Sequence, residues 1–422
     1  MIWGLFVLIS FLTGIFYLKF LTVHPLRMNV FLNLTWAFFF GSLVLFFQPA
    51  VFNLAWLGLP AWAVFCLGGY TLQATRFLSR EDTRPVPTFK RQKGDPGNGH
   101  TAVIYFTHGE PETYDPIGWL NQFREFDEQR IPFVPLLARP FFIYQLRKKY
   151  LQVGMSLHRQ VHQRMLRSLE SEFRLMGDTT TRFYISFLDD NPRPDAAVIH
   201  ALNDGASRLI VAEVFVSVSN HTLEGKNLID ELDLEGYGVP IVYTGPMWDS
   251  STLHRMFVQR AQVNLGETEK SRAGVLLVGH GQPDEWDREF ASKTEHEIKF
   301  RRSIIELFEQ DGFRRENLSL AWMEFKSPKP AGVIEKFVAN GVEKVLYFSA
   351  AISADSIHSQ FDIPELVHQS RVPKEFPLVN LGAWNDDPLV IKAIKEKIEA
   401  VSIGLYQMEN SVLDNQEQSA LV

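Results

Sequence analysis

Two stretches of the chain place His-Gly and an acidic turn directly after an apolar run. The first is AVIYFTHGEPETYD (102–115) and the second is VLLVGHGQPDEWD (275–287). Apolar runs of this length predict buried strands. Downstream of each, predicted helices alternate with further strands, which predicts right-handed crossovers and parallel sheets covered by helices on both faces. The sequence therefore predicts an α/β fold with two duplicated Rossmann-like lobes.

The correspondence between the lobes extends to a second segment. ALNDGASRLIVAEVFVSVSNHTLEGKNLIDEL and FVANGVEKVLYFSAAISADSIHSQFDIPEL both predict a helix, a Gly-containing turn, a strand and a loop with a histidine. Each lobe thus has one histidine after its first strand, His108 or His280, and another after a later strand, His221 or His358. In open α/β sheets the carboxyl ends of the strands face the ligand crevice, so we expect the chemistry there.

The first 75 residues contain three long apolar runs, at 2–18, 28–47 and 54–73. Each approaches the roughly 20 residues needed to cross a hydrocarbon core, and none has a charge in its interior. A cleaved signal peptide does not fit, because no basic segment precedes the first run and two more runs follow it. The sequence predicts three membrane helices and hence contact with membrane lipid.

The basic residues predict the orientation of these helices. Lys19 and Arg27 follow the first run, the next loop has no charge, and six Lys or Arg residues lie between 76 and 93. By the positive-inside rule the N-terminus is outside and the chain after residue 76 is cytoplasmic, as in a multi-pass inner-membrane protein. The predicted order is a transmembrane region (1–75), a basic linker (76–100), a first lobe (101–270), a second lobe with the metal site (271–403) and a polar tail (404–422).

Composition narrows the chemistry. The only cysteine is Cys66, so disulfides and cysteine-ligated clusters are excluded and any metal must use His, Asp or Glu. A net charge of −7 argues against nucleic acid as a partner. We find no Gly-rich phosphate loop, nucleophile elbow or HExxH motif. His296 and Glu297 lie in a charged segment and are interpreted as surface residues.

Two histidines and one carboxylate of the second lobe are predicted at strand ends or just beyond them: His280, Glu324 and His358. Glu324 falls in the apolar segment LAWMEF, and a buried carboxylate requires a partner such as a metal, a histidine or an arginine. Two imidazoles and a carboxylate can hold a divalent ion while leaving positions open for exchange. In the first lobe, His108 and His221 form either a second site or a vestige of one.

HGQPDEWD followed by LAWMEFKSPKPAGVIEKFVANGVEKVLYFSAAISADSIHSQFDIPEL resembles the class II tetrapyrrole metal chelatases, which comprise ferrochelatases, sirohydrochlorin chelatases and anaerobic cobaltochelatases. In the first lobe, GEPETYDPIGWLNQF, IPFVPLLARPFFIYQLRKKY and VGMSLHRQV resemble the N-terminal segment of ferrochelatases in order and spacing. The resemblance covers 102–401.

The resemblance implies roles for the second-lobe residues. His280 matches the metal-binding and proton-accepting histidine of the family's Ser/Gly-His-Gly motif. His358 is similar to the second histidine of the sirohydrochlorin and cobalt chelatases, where ferrochelatases have a glutamate. Glu324 is similar to the acidic residue between the two cobaltochelatase histidines, and Asp355 to an aspartate of the ferrochelatase pattern, which makes it an implied substrate contact.

Two first-lobe features depart from the ferrochelatase pattern. The usual Gly-Ser-Pro-Leu is GMSL here, with Gly154 and Ser156 as implied substrate contacts, and the usual Tyr-Pro-Gln-Tyr is replaced by FVSVSNH. Both changes touch walls expected to hold the macrocycle.

Taken together, the residues and the resemblance predict a membrane-anchored, ferrochelatase-like lyase. It would insert Fe(II), with Co(II) as an alternative, into a porphyrin in haem biosynthesis, using His280, Glu324 and His358 and no prosthetic group. One alternative is a sirohydrochlorin or cobalt chelatase. The other is a non-catalytic tetrapyrrole or metal carrier on the same scaffold.

Overall fold

The computed structural model of the chain describes residues 1–81, 84–128 and 134–403, so the predicted polar tail (404–422) lies outside the described residues. The chain divides into two compact units. One contains Met1–Arg84 and Thr113–Met155, and the other contains Pro85–Glu112 and Ser156–Val422. This division differs from the boundaries predicted by the sequence, because 113–155 belongs with the apolar helices and both lobes belong to the second unit.

The first unit is helical. Its helices are α1 (Ile2–Thr22), α2 (Met28–Phe46), α3 (Pro49–Phe52), α4 (Ala55–Leu78), α5 (Gly118–Glu128) and α6 (Arg139–Val153). Three segments are long and apolar enough to cross a membrane, namely Ile2–Thr22, Pro25–Phe46 and Ala55–Leu78. They contain the three predicted apolar runs almost completely.

Glycines allow α1 and α4 to pack with their backbones in contact. A Cβ atom at Gly14 would lie 1.9 Å from the carbonyl oxygen of Cys66, and one at Gly69 would lie 2.0 Å from that of Phe11. Small residues at such crossings are typical of helix pairs in membranes.

The segment 113–155 packs against the end of α1. Arg147 is fully buried and donates to the carbonyls of Phe20 and Val23 at 2.6 and 2.9 Å. The Tyr114 hydroxyl donates to the carbonyl of Thr22 at 3.1 Å. The last carbonyls of a helix have no intrahelical donor, so these two side chains stabilise the C-terminal end of α1.

The second unit begins with a four-stranded parallel sheet in the order β2-β1-β3-β4. Its strands are β1 (His100–Thr107), β2 (Arg182–Phe187), β3 (Ala206–Glu213) and β4 (Ile241–Tyr243), and its helices are α7 (His158–Leu175), α8 (Pro194–Asn203), α9 (Asn220–Asp230) and α10 (Ser251–Asn264). Every residue of β1 is buried, as expected for a central parallel strand covered on both faces.

The second sheet repeats this arrangement in the order β6-β5-β7-β8. Its strands are β5 (Ala273–Gly279), β6 (Leu318–Trp322), β7 (Lys344–Ser349) and β8 (Leu378–Asn380), and its helices are α11 (Asp284–Glu289), α12 (Ala291–Gln310), α13 (Pro330–Ala339), α14 (Ile363–His368) and α15 (388–403). The two sheets have the same strand order, which confirms the predicted duplicated α/β fold. Phe290 separates α11 from α12, which begins at Ala291.

The two lobes share one apolar core, to which both sheets contribute. The last helix of each lobe packs against the first long helix of the other. Phe257 of α10 contacts Phe300 of α12 with ring centroids 5.6 Å apart, and Lys395 of α15 pairs with Glu172 of α7 at 3.3 Å. These contacts, here called the exchange of helices, join the two lobes.

Candidate functional site

The strand register shows that the two lobes place corresponding residues at corresponding positions. Thr107 at the end of β1 pairs with Phe187 of β2, and Gly279 at the end of β5 pairs with Trp322 of β6. His108 and His280 therefore each follow the last residue of the central strand. The prediction that both lie at strand ends is confirmed by these positions.

The second-lobe histidines face each other. The ring centroids of His280 and His358 are 5.3 Å apart, with the rings nearly perpendicular. His280 Nδ1 donates to the carbonyl of Gly281 at 2.7 Å, and His358 Nδ1 bonds the Asp362 carboxylate at 2.8 Å. A carbonyl can only accept, so in the neutral His280 ring the lone pair lies on Nε2, where it can accept a proton or bind a metal.

A glycine follows each of the two strand-end histidines and has a positive φ, 90° at Gly109 and 85° at Gly281. This conformation turns the glycine carbonyl back toward the preceding ring. At Gly281 a Cβ atom would also lie 2.5 Å from the carbonyl oxygen of Glu324. The His-Gly pair is therefore a structural unit in which the glycine orients the imidazole.

The two imidazoles of this pair differ in proton affinity. Burial, with the charges of Lys293 and His358, holds the pKa of His280 well below its usual range. Burial also acts to lower the pKa of His358, but the hydrogen bond and charge of Asp362 outweigh it and raise that pKa. His280 is thus neutral near pH 7, whereas Asp362 favours a proton on His358.

Glu324 lies in the loop two residues beyond the end of β6 at Trp322, within the predicted range of strand ends or positions just beyond them. The Glu324 backbone N–H donates to the carbonyl of His280 at 3.0 Å, which places the residue beside the histidine pair. Its charge acts on His358 and Lys329. Across 1–81, 84–128 and 134–403, no group of three or more His, Cys, Asp or Glu side chains is arranged to hold a metal ion. His280, Glu324 and His358 therefore lie near one another but are not arranged as a three-residue metal site.

The first-lobe histidines also meet, and they lie near the second-lobe pair. The ring centroids of His108 and His221 are 4.6 Å apart. His108 Nδ1 donates to the carbonyl of Gly109 at 3.0 Å, as His280 does to Gly281. The charges of His108 and His280 contribute to lowering the pKa of His221, after the larger effect of burial. Both pairs therefore border one region between the two sheets.

Sequence analysis missed Glu110, which bridges the lobes. Its carboxylate accepts from the Ser156 hydroxyl and from the backbone N–H of Ile357, the latter at 3.0 Å. Burial raises the pKa of Glu110, against the opposing charge of His358. Ser156, predicted as a substrate contact, is fully buried and serves to hold Glu110. The sequence signal that could have indicated Glu110 is the acidic residue in HGE, at the position where the second lobe has HGQ.

The prediction that Glu297 is a surface residue was wrong. Its side chain is 1% exposed and accepts the backbone N–H of His280 at 3.0 Å. Arg301, one turn later, is fully buried, stacks on Trp322 and donates to the carbonyl of Ala321 at 2.7 Å. Lys293, one turn earlier, is also buried, so a spacing of four along one face of α12 could have indicated this set.

Two other predicted contacts lie elsewhere. Asp355 accepts from the Ser359 hydroxyl at 2.9 Å, the Ala383 N–H at 3.1 Å and the Asn385 amide at 2.9 Å, so its carboxylate holds a loop together. Gly154 belongs to the unit that contains the three long apolar helices, where it ends α6 with a φ of 89°.

No family model and no curated protein sequence matches this chain. Solved structures do. SirB from Bacillus subtilis with Fe3+ is 13% identical, with 71% of this chain and 94% of that chain covered and a TM-score of 0.46. DR2241 from Deinococcus radiodurans is described as a multi-domain protein with structural similarity to chelatases. It is 13% identical, with 71% of this chain and 55% of that chain covered and a TM-score of 0.45.

A third matched structure is CbiX, the terminal enzyme for biosynthesis of siroheme in denitrifying bacteria. It is 13% identical, with 71% of this chain and 98% of that chain covered and a TM-score of 0.38. SirB is described as a sirohydrochlorin chelatase and DR2241 as structurally similar to chelatases. At these identities and TM-scores, the activity of this chain has to be judged from its own residues.

Proposed function

We propose that this protein is a tetrapyrrole metal chelatase that inserts a divalent metal ion at the His280 and His358 pair. The facing imidazoles at the carboxyl ends of the second-lobe strands carry this proposal. Insertion requires removal of the two pyrrole N–H protons and delivery of the metal to one face of the ring. The Nε2 lone pair of neutral His280 can first bind the incoming ion and, once the ion has passed to the ring nitrogens, accept one pyrrole proton, while the second proton passes to water.

The remaining groups act on this pair. Glu297 and Gly281 fix the position of His280 through its backbone N–H and its ring. Asp362 orients His358 through Nδ1 and favours its protonated form, so His358 has to release a proton to solvent before its Nε2 can serve as a neutral ligand. Glu324 supplies the negative charge that a divalent ion requires beside two neutral ligands.

The second histidine supports a proposal for the identity of the ring. A histidine at 358, where the ferrochelatase pattern has glutamate, favours a sirohydrochlorin or cobalt chelatase over a ferrochelatase. The first-lobe departures GMSL and FVSVSNH point in the same direction. Fe(II) and Co(II) both suit an imidazole and carboxylate site, and either ion would be a substrate of the reaction. Porphyrin chelation in haem biosynthesis is the second candidate, favoured by the membrane helices, because an apolar porphyrin partitions into lipid.

Membrane attachment is part of the proposal. Three apolar helices of sufficient length and a basic segment after the third support a multi-pass anchor with the lobes in the cytoplasm. The protein should remain with membranes after alkaline carbonate extraction. A reporter fused after residue 403 should be active only if it is a cytoplasmic reporter.

The test of the function is a metallation assay with the full-length chain in detergent micelles under anaerobic conditions. Protoporphyrin, coproporphyrin and sirohydrochlorin are each mixed with Fe(II) or Co(II) and followed by absorbance. Catalytic metallation of sirohydrochlorin is expected. If only a porphyrin is metallated, the proposed substrate is that porphyrin and not sirohydrochlorin. Tight binding of a ring without metallation would contradict the chelatase and support a carrier.

A further inference from the structure

The first lobe repeats, at equivalent positions, the groups that surround the second-lobe histidine pair. Asp189 lies two residues beyond the end of β2, as Glu324 lies two residues beyond the end of β6. The Asp189 N–H donates to the carbonyl of His108 at 2.8 Å, and the Glu324 N–H donates to that of His280 at 3.0 Å. The equivalence therefore holds in the backbone as well as in the residue types.

The third strands show the same equivalence. Phe106 pairs with Glu213 in the first sheet, and Val278 pairs with Ser349 in the second. The next residues, Val214 and Ala350, donate to the carbonyls of Phe106 and Val278, both at 2.8 Å. His221 follows eight residues after Glu213, and His358 follows nine residues after Ser349, so each lobe places its second histidine at the start of the helical segment beyond its third strand.

From this equivalence we infer that His108 and His221 form a second site for a divalent metal ion, distinct from the site at His280 and His358. Two imidazoles that bind one ion through nitrogens about 2.1 Å away have ring centroids about 5 Å apart. The observed separations are 4.6 Å in the first lobe and 5.3 Å in the second.

Asp189 completes the resemblance by orienting His108. One of its carboxylate oxygens lies 3.2 Å from His108 Nδ1, the nitrogen that also donates to the carbonyl of Gly109. A carboxylate or carbonyl on one ring nitrogen fixes the imidazole and directs the other nitrogen to the metal. In the second lobe, Gly281 and Asp362 serve His280 and His358 in this way.

His108 is more accessible than His358. The side chain of His108 is 47% exposed and that of His358 is 24% exposed. An ion that arrives from solvent can therefore reach His108 first. Use of this site as an entry point for insertion rests on the proposed function, whereas metal binding at the site does not.

The test is a Co(II) titration of the full-length chain in detergent, followed by the visible absorption of bound Co(II). A His280→Ala/His358→Ala variant is expected to retain one Co(II) per chain, with histidine-type absorption. Adding His108→Ala and His221→Ala should abolish that binding, while His200→Ala at an exposed position of α8 should not change it. When Asp189→Asn is added to the His280→Ala/His358→Ala variant, the affinity for the remaining Co(II) should weaken about 10-fold or more.

If the His280→Ala/His358→Ala variant binds no more Co(II) than the variant lacking all four histidines, the second site does not exist. Circular dichroism of each variant checks that it is folded. The reciprocal His108→Ala/His221→Ala variant is a second control and should keep one Co(II). Metallation of a ring together with this negative result would leave the proposed function standing and this inference refuted. Two separable Co(II) sites without any ring metallation would support this inference and contradict the proposed function.

Discussion

Replacing Glu297 by Gln should loosen the loop that carries His280. The carboxylate accepts the His280 backbone N–H at 3.0 Å from a buried position on α12. A hydrogen bond to an ionised acceptor contributes about 1.5–3 kcal/mol, and one to a neutral acceptor about 0.5–1.5 kcal/mol. Gln retains the length and one carbonyl oxygen, so this contact should weaken by about 1–2 kcal/mol.

Arg301 adds to the effect of the same substitution. It is fully buried, and burial lowers its pKa to about 10, while the charge of Glu297 acts to raise it. Without the carboxylate the guanidinium loses a nearby countercharge, which should cost about 1 kcal/mol more. The free energy of unfolding should therefore fall by about 2–3 kcal/mol in Glu297→Gln.

Hydrogen exchange by mass spectrometry on the full-length chain can measure the local part of this loss. A weakening of about 1–2 kcal/mol corresponds to exchange of the His280 amide that is about 5- to 30-fold faster. Glu295→Gln is the matched control, because Glu295 lies on the same helix with its side chain 63% exposed. Equal exchange at His280 in wild type and Glu297→Gln would refute the role given to this carboxylate.

Three further substitutions test other parts of the structure. Burial lowers the pKa of His162 to about 3, so between pH 7 and pH 5 the unfolded chain binds a proton that the folded chain does not. The free energy of unfolding should therefore fall by about 2 kcal/mol from pH 7 to pH 5 through this group. In urea unfolding measured at both pH values, His162→Gln should remove that part of the pH dependence. Arg147→Met should lower the melting temperature of the detergent-solubilised protein, because two carbonyls at the end of α1 lose their donor, whereas Lys148→Met at the exposed neighbouring position should not. Gly281→Ala should abolish ring metallation, since its methyl would lie 2.5 Å from a backbone carbonyl oxygen, while Gly341→Ala, also at positive φ but in open space, should leave metallation unchanged.

Periodicity and repetition in the sequence were sufficient to predict the two lobes and the meeting of histidines at strand ends. Parallel strands fix which ends share an edge, so His108 and His280 could be placed without coordinates. The exchange of helices between lobes could not be predicted, because it brings together segments that are distant in the sequence. For the same reason, the amphipathic segment 113–155 gave no indication that it packs against α1.

The missed site residues were missed because charge was interpreted as exposure. Glu110 and Glu297 are acidic residues in polar segments, and their burial follows from packing against elements distant in sequence, the Ile357 loop and β5. A buried carboxylate is stable only where donors converge on it, and convergence of this kind is a tertiary property.

The rate of metal insertion by His280→Ala, compared with wild type and with His200→Ala, tests the proposed chemistry of this protein. All three are assayed as full-length chains, with the ring and metal that wild type metallates. We expect His280→Ala to lose at least about 100-fold in rate, because it lacks the proton acceptor, and His200→Ala to match wild type. Insertion by a folded His280→Ala variant at the wild-type rate would show that the chemistry lies elsewhere.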